Sequence, residues 1–417
     1  MIYISIYRFF YSLVFIPGIF LMGLFDKKIK KGLALRKKQS GTWPWLNFQK
    51  KSAPIWIHAS SMEFEYAKPI IREIKNKTPD VKILVTFFSP SAENAIKNFP
   101  GVDFACASPW DIPGVLKEFI AHHQPKALLL ARTDTWPEML FQCREKRIPT
   151  LLFSSTFAKS SSRNRFGLRG FYAWVFSLLK TIYVVGDEDL ETYRSLGIMH
   201  TEKVGDTRYD QVFYRLQNQK KFKSQLMARR DDIVTFIAGS TWPEDEKQIC
   251  FAIKDLVKFE VKARYIVVPH EPTPTHIYNL ERGLQGCNYV LYSRLEDPLE
   301  AGQILIVDHI GILAELYSIS DIAFIGGSFK KNIHSVMEAL ACGCLAIVGP
   351  YHHNNREALE FKKLNAVREV SSFNEIDKAI RDFVRLSKSE RRDIREHIES
   401  LARARKGSTE KIMKWLS

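Results

Sequence analysis

Along most of the chain, short apolar runs alternate with longer stretches in which apolar residues recur at helical spacing. The first set of runs reads PIWIHAS (54–60), KILVTFF (82–88), ALLLAR (127–132), TLLFSS (150–155) and IYVVG (182–186). Helical spacing fills the intervals at 66–76, 92–98, 113–122, 137–146 and 171–179. A second set reads IVTFIAGS (233–240), ARYIVVPH (263–270), YVLYS (289–293), QILIVD (303–308), IAFIGG (322–327) and LAIVGP (345–350). These runs are apolar at successive positions, as strands buried on both faces are. Strands alternating with helices predict parallel sheets with helices on both sides. At 417 residues the chain exceeds one ordinary core. The expected architecture is α/β, with two doubly wound domains in tandem and a cleft between them. The first set ends at KVGDTRY (203–209), and a charged helical stretch follows over 211–229. The carboxyl end, 389–416, is basic and helical without strand signals.

The amino terminus departs from this alternation. Residues 9–25, FFYSLVFIPGIFLMGLF, carry no charge, and a dense basic block, DKKIKKGLALRKK (26–38), follows. A cleaved signal peptide has the opposite charge order. As a helix the run reaches about 25 Å, just short of a hydrocarbon core. It reads as a membrane anchor, either a short span or a helix lying in the interface. The basic block sets the following chain on the cytoplasmic side and favours anionic headgroups.

The net charge of +15 calls for an anionic partner: nucleic acid, acidic lipid or a phosphorylated substrate. Basic residues are not interleaved with aromatics as a nucleic-acid face requires, so nucleic acid is set aside. The six cysteines are scattered, mostly through apolar runs, without metal-ligand spacing, and read as reduced thiols. No Walker loop, Ser/His/Asp arrangement or zinc pattern is present. Neither a metal nor a cofactor is expected.

The stretch 326–357, GGSFKKNIHSVMEALACGCLAIVGPYHHNNRE, holds the densest candidate chemistry. A strand runs into Gly326-Gly327-Ser328, where small residues let a backbone approach a ligand. A basic loop with Lys330 and Lys331 follows, then a predicted helix carrying His334 and Glu338 on one face. Its free N–H groups suit an anion, and Glu338 can accept bonds from sugar hydroxyls. Asn354 follows the last strand of this stretch. In HASSMEFE (58–65), Glu63 stands near a helix start whose dipole keeps it ionised, as a general base or as an ordinary capping acid after Ser60. In TDTWPEML (133–140), Pro137 opens a helix and Asp134 reads, on spacing, as its cap. Ser240 and Thr241 suit a phosphate, His270 ends a strand, and Arg208 can reach a phosphate from the domain switch.

Taken together, the chain resembles the 3-deoxy-D-manno-octulosonic acid (Kdo) transferases of lipopolysaccharide synthesis. The motifs that carry the resemblance are HASSMEFE, SPWDIPGVLKEF (108–119), TDTWPEML, GDTRYD (205–210), GSTWPEDE (239–246), the GGSF–H–E element (326–338) and GPYHHNNRE (349–357). The resemblance implies a GT-B type glycosyltransferase with an anchor (1–25), an N-terminal Rossmann-like acceptor domain (26–208) and a C-terminal donor domain (209–417). The last helix is expected to be able to pack back on the N-terminal domain. It implies transfer of Kdo from CMP-Kdo to the lipid A precursor (lipid IVA), with inversion and no required metal, at the cytoplasmic face of the anionic inner membrane. By position Glu63 looks like the base, and Asp134 matches an acidic position of the acceptor half. Arg208, Ser240, Thr241, His270, Gly326, Gly327, Ser328, His334, Glu338 and Asn354 match donor-binding positions. Four residues depart from the family pattern: Met62 in place of glycine, Arg132 in place of a second acid, no arginine between Pro269 and His270, and Ser335 in place of asparagine. The alternatives are a glycosyltransferase or sugar-nucleotide epimerase of the same fold with another donor, or a non-catalytic protein that docks on lipid.

Overall fold

The computed structural model describes residues 2–41 (side chains to 37), 53–218 and 228–417. Two compact units result: Met1–Gln211 with Arg405–Ser417, and Val212–Ala404. Of the charged stretch 211–229, residues 219–227 lie outside the described residues; its described start continues the helix Thr207–Gln217.

The first unit is built on seven strands: β1 (Ile55–His58), β2 (Ile83–Phe87), β3 (Phe104–Ala107), β4 (Ala127–Ala131), β5 (Thr150–Ser155), β6 (Thr181–Val184) and β7 (Thr201–Lys203). Their order is β3-β2-β1-β4-β5-β6-β7, parallel throughout. The second unit repeats the design with β8 (Val234–Thr241), β9 (Ala263–Pro269), β10 (Tyr289–Leu291), β11 (Ile304–Ile306), β12 (Ile322–Ile325), β13 (Leu345–Val348) and β14 (Val367–Glu369), in the order β10-β11-β9-β8-β12-β13-β14. These are two Rossmann-like units, the α/β class expected from the apolar runs and the GT-B type that the resemblance implies.

Helices cover both faces of each sheet, so strands such as β1, β2, β4, β9 and β12 bury every side chain. Along β1, Trp56 enters one core with Phe119 and Leu128, while Ile57 enters the opposite core with Ile70 and Leu129. That alternation is the two-residue period of a strand. Each such large apolar side chain contributes roughly 1.5–3 kcal/mol on burial. The sequence reading misses β3, β7 and β14, each at a sheet edge and each partly exposed. β7 and β14 carry charged residues and leave no apolar run, whereas β3 is a four-residue apolar run, FACA, that the sequence reading passed over.

The carboxyl terminus is not one helix. Helix Lys388–Arg403 belongs to the second unit, and after Gly407 (φ 100) helix Ser408–Leu416 belongs to the first. Asp210 anchors that last helix, accepting from Gly407 N (2.8 Å), Thr409 N (2.8 Å) and Thr409 Oγ1 (2.7 Å). Trp415 Nε1 donates to Thr181 Oγ1 at 2.9 Å.

The N-terminal helix Ile2–Met22, with a π-turn at Tyr11–Phe15, is long and apolar enough to cross a membrane. One side of it rests on the first unit. Tyr7 Oη donates to Asp111 Oδ2 (2.7 Å), and Arg8 forms a two-pronged bond to Glu138 (2.7 and 2.9 Å). The hydroxyl of Tyr11 accepts from Asp111 N at 3.2 Å. Its other side exposes Phe9, Phe10, Leu13, Val14, Phe20 and Leu21.

Candidate active site

In the first sheet the strand order turns at β1 and β4, and ligands of open α/β sheets bind beyond the carboxyl ends at such a point. β1 ends on His58. β4 is followed by Arg132 at φ 68, a left-handed conformation that costs a bulky residue about 1–3 kcal/mol. The next residues bring Asp134 Oδ2 to 3.1 Å from His58 Nε2, and Trp136 Nε1 donates to the same nitrogen at 3.0 Å. His58 Nδ1 lies 2.9 Å from Thr86 Oγ1, which also accepts from Trp56 Nε1 at 2.9 Å. An indole N–H only donates, so Nε2 presents its lone pair and the ring hydrogen sits on Nδ1. His58 is fully buried and the Asp134 side chain is 26% exposed, so an outward carboxyl is backed by an enclosed imidazole.

Asp134 is not the cap that spacing suggests. Helix Pro137–Glu145 has Trp136 at its N-cap without a side-chain bond. Its Glu138 and Met139 N–H groups donate instead to Asp111, at 2.9 and 2.8 Å. Burial raises Asp111 to about 7, although Tyr7 and these two amides favour its ionised form. With the cap supplied from 108–119, Asp134 is left facing outward.

Glu63 precedes helix Phe64–Lys77, and its Oε2 accepts from Ser61 N at 2.8 Å. One oxygen thus makes the local bond of a helix-start acid. Arg132 and Arg208 both lie over the Tyr66 ring, at 4.9 and 4.8 Å. Arg208 opens helix Thr207–Gln217 and belongs to the first unit.

In the second sheet β8 occupies the turning point beside β12. The β8–β9 ladder shifts register between Gly239 and Thr241, and Ser240 sits there at φ 54. A bulge of this kind re-aims a side chain at the strand end. Ser240 is partly exposed, whereas the buried Thr241 hydroxyl donates to Glu246 Oε1 at 2.7 Å. Trp242 Nε1 donates to His334 Nε2 at 3.1 Å. The His270 and His334 rings stack at 4.4 Å, and Lys330 Nζ lies 3.6 Å from the Trp242 ring centre. Burial, with the neighbouring His270 charge, lowers His334 to about 4. At neutral pH its Nε2 accepts from Trp242, and its Nδ1–H is a donor.

The structure corrects three readings of this stretch. His334 is not on a helix with Glu338, because the helix spans only Met337–Ala341. The Ser335 hydroxyl accepts from Met337 N at 3.3 Å, delaying the helix start. Glu338 lies 3.4 Å from Arg215. The Gly-Gly turn is filled by the protein's own groups. A Cβ on Gly326 would overlap the Ser240 carbonyl, and Gly327 has φ 79 with the Asn332 carbonyl against it. The anion held by this turn is Asp245, which accepts from Gly327 N (2.7 Å), Phe329 N (2.9 Å) and Trp242 N (3.0 Å). Burial raises Asp245 against those three bonds. The Ser328 hydroxyl is buried and donates to Ile325 O at 2.7 Å. Asn354 is exposed, and it is Asn355 that donates to His334 O at 3.2 Å.

His58, Trp136, Trp242, Asp245 and Asn355 escaped the sequence reading as site residues. One signal pointed to two of them. Thr-Trp-Pro-Glu occurs at 135–138 and again at 241–244, and each tryptophan gives its N–H to a histidine Nε2. Among the described residues, no three His, Cys, Asp or Glu side chains converge as metal ligands.

Residues 31–211 match the family model described as 3-Deoxy-D-manno-octulosonic-acid transferase (kdotransferase). The 3-deoxy-D-manno-octulosonic acid transferase of Rickettsia bellii is 25% identical over 305 residues, covering 73% of this chain and 72% of its own. The enzyme of the same name from Aquifex aeolicus is 27% identical over 327 residues, covering 77% and 83%. Among solved structures, UDP-GlcNAc 2-epimerase from Neisseria meningitidis superposes with TM-score 0.59 at 14% identity, covering 87% of this chain and 98% of its own. That likeness shows the fold alone.

Proposed function

The chain belongs to the Kdo transferase family, and on that premise we propose that it transfers Kdo from CMP-Kdo to the lipid A precursor, lipid IVA, with inversion at the anomeric carbon. The first unit takes the acceptor and the second the donor. The observation that carries this reading is the outward Asp134 carboxyl, backed by buried His58, at the turning point of the sheet that the family model covers.

Glu63 removes the acceptor hydroxyl proton as the new C–O bond forms at the anomeric carbon. The bond from that carbon to the CMP phosphate oxygen breaks, and CMP departs with the electron pair. Asp134, with His58 behind it, holds the acceptor hydroxyl in place. Ser240, the His334 Nδ1–H and Lys330 take up charge on the departing phosphate, in the manner of an oxyanion site. Glu338, His270 and Asn354 contact donor hydroxyls. Gly326, Gly327, Ser328 and Thr241 shape this region through backbone packing.

The N-terminal helix serves as an in-plane anchor on the cytoplasmic face of the inner membrane. A helix crossing the bilayer would have to part Tyr7 and Arg8 from Asp111 and Glu138, which belong to the α/β unit. Lying flat, it keeps those bonds and offers its apolar side to lipid.

The test is transfer by the purified full chain, supplied with an in situ CMP-Kdo source and tetraacylated lipid A precursor, with products identified by mass spectrometry. Kdo-bearing lipid is expected, and an intact preparation yielding none sinks the assignment. Glu63→Gln is expected to abolish transfer while CMP binding survives; turnover retained by that variant removes Glu63 as the base.

A further inference from the structure

We propose that the second unit carries an oxyanion-binding pocket at the amino end of its sheet, the end opposite His334 and Ser240, that takes a phosphate group. The pocket has a volume of about 210 Å³. Arg229 and Arg230 enter it from the segment before β8, and Lys388, Arg391, Arg392 and Arg395 from the first two turns of helix Lys388–Arg403. Its acids are Asp231, Asp321 and Glu396; with Arg230 paired to Asp232 and Glu300 outside the pocket, the five other cations leave a formal excess of two positive charges.

The acids do not satisfy the cations. Asp321, just before β12, accepts from Arg229 Nη2 at 2.6 Å and from Thr235 N at 2.9 Å. Arg230 is turned to Asp232 and Glu300, which lie outside the pocket. Arg391 donates to the Asp231 carbonyl at 3.4 Å, and Arg395 donates to the Ser320 carbonyl and stands 3.9 Å from Asp321 Oδ1, an acid already taken by Arg229. Three buried nitrogens, Arg229 Nη1, Arg391 Nε and Arg395 Nε, have no acceptor among the described residues. Residues 219–227, which lead to Arg229, contain three lysines and no acid, so that sequence brings no countercharge.

Guanidinium groups pair with phosphate oxygens through parallel N–H bonds, and desolvated donors lacking acceptors make such a ligand favourable. The volume is below the roughly 300 Å³ where drug-sized ligand pockets begin. It suits a phosphomonoester or phosphodiester group rather than a whole nucleotide sugar. The group can come from an anionic lipid headgroup or from a free phosphate.

The experiment titrates inorganic phosphate by calorimetry into the detergent-purified full chain, already saturated with CMP to fill any nucleotide site. Saturable binding of one phosphate is expected, weakened about tenfold or more in Arg391→Gln/Arg392→Gln. Lys388→Gln/Arg392→Gln, at two exposed positions, is the variant to use if the first fails to fold, with an expected loss of about fivefold. In a second arm the same proteins are sedimented with phosphatidylglycerol or phosphatidylcholine vesicles. Loss of the phosphatidylglycerol-dependent part in the variant identifies the lipid headgroup as the source. Equal vesicle binding with weakened phosphate binding identifies a free phosphate. No saturable phosphate binding by the CMP-loaded chain, or equal affinity in wild type and variant, overturns the proposal.

Discussion

Two tryptophans decide the hydrogen placement on the histidines at the strand ends. Trp136 and Trp242 each follow a threonine and precede a proline that opens a helix, and each points its N–H at an imidazole. An indole cannot accept, so each contact selects the tautomer with its hydrogen on Nδ1. For His334 the consequence is measurable. Its folded-state value, near 4, lies below the usual 6.5, so the folded protein favours the neutral ring. That contribution to stability is complete above about pH 6.5 and is lost as pH falls from there through about 4. An NMR titration is expected to place the His334 midpoint near 4. Trp242→Phe, which removes a donor to the neutral ring, moves it upward. A midpoint at the ordinary value in the wild type contradicts the burial that the structure describes. Gly326, the Ser240 bulge and Asp245 show why residue-level chemistry was only partly legible. A glycine pair looks like a ligand's doorway in sequence, and here it is the seat of Asp245, which lies 82 positions earlier in the chain.

At the scale of elements, legibility followed burial. The central strands are enclosed on both faces and so appear as unbroken apolar runs, while the charged edge strands β7 and β14 have no such run. Caps behave similarly. A cap borrowed from a distant loop leaves no local signal, and helix Pro137–Glu145 borrows Asp111 from 27 positions away. Asp111 also receives the Tyr7 hydroxyl, so a single carboxyl joins the cap to the N-terminal helix. Asp111→Ala leaves the Glu138 and Met139 amides without their acceptor and frees Tyr7. Urea unfolding is expected to show a loss of about 1–3 kcal/mol. Proteolysis within residues 2–41 is expected to quicken at the same time, because the helix loses part of its hold. No change in either measurement would mean that the cap and the helix contact are dispensable.

At the scale of the whole molecule, the chain closes its first unit with its last residues. Ile412 is 1% exposed against that unit's core, and Asp210 takes three hydrogen bonds from the residues just before and within the last helix. Ending the chain at Ala404 removes both. Calorimetry of the full-length and shortened chains is expected to show the first unit's transition weakened by about 3 kcal/mol and the second's unchanged. An equal loss in both units, or none, would contradict the division of the chain at Gln211 and Arg405. What the sequence determined by itself was the α/β class, the central strands, the anchor-like amino terminus and the resemblance to the family, since apolar runs and short motifs lie within a few neighbouring residues. What the tertiary structure alone decided was which donor meets which acceptor. Asp134 meets His58 across 76 positions, and Trp242 meets His334 across 92. Such pairs have no period or spacing along the chain; they exist only because parallel strands bring their carboxyl ends side by side.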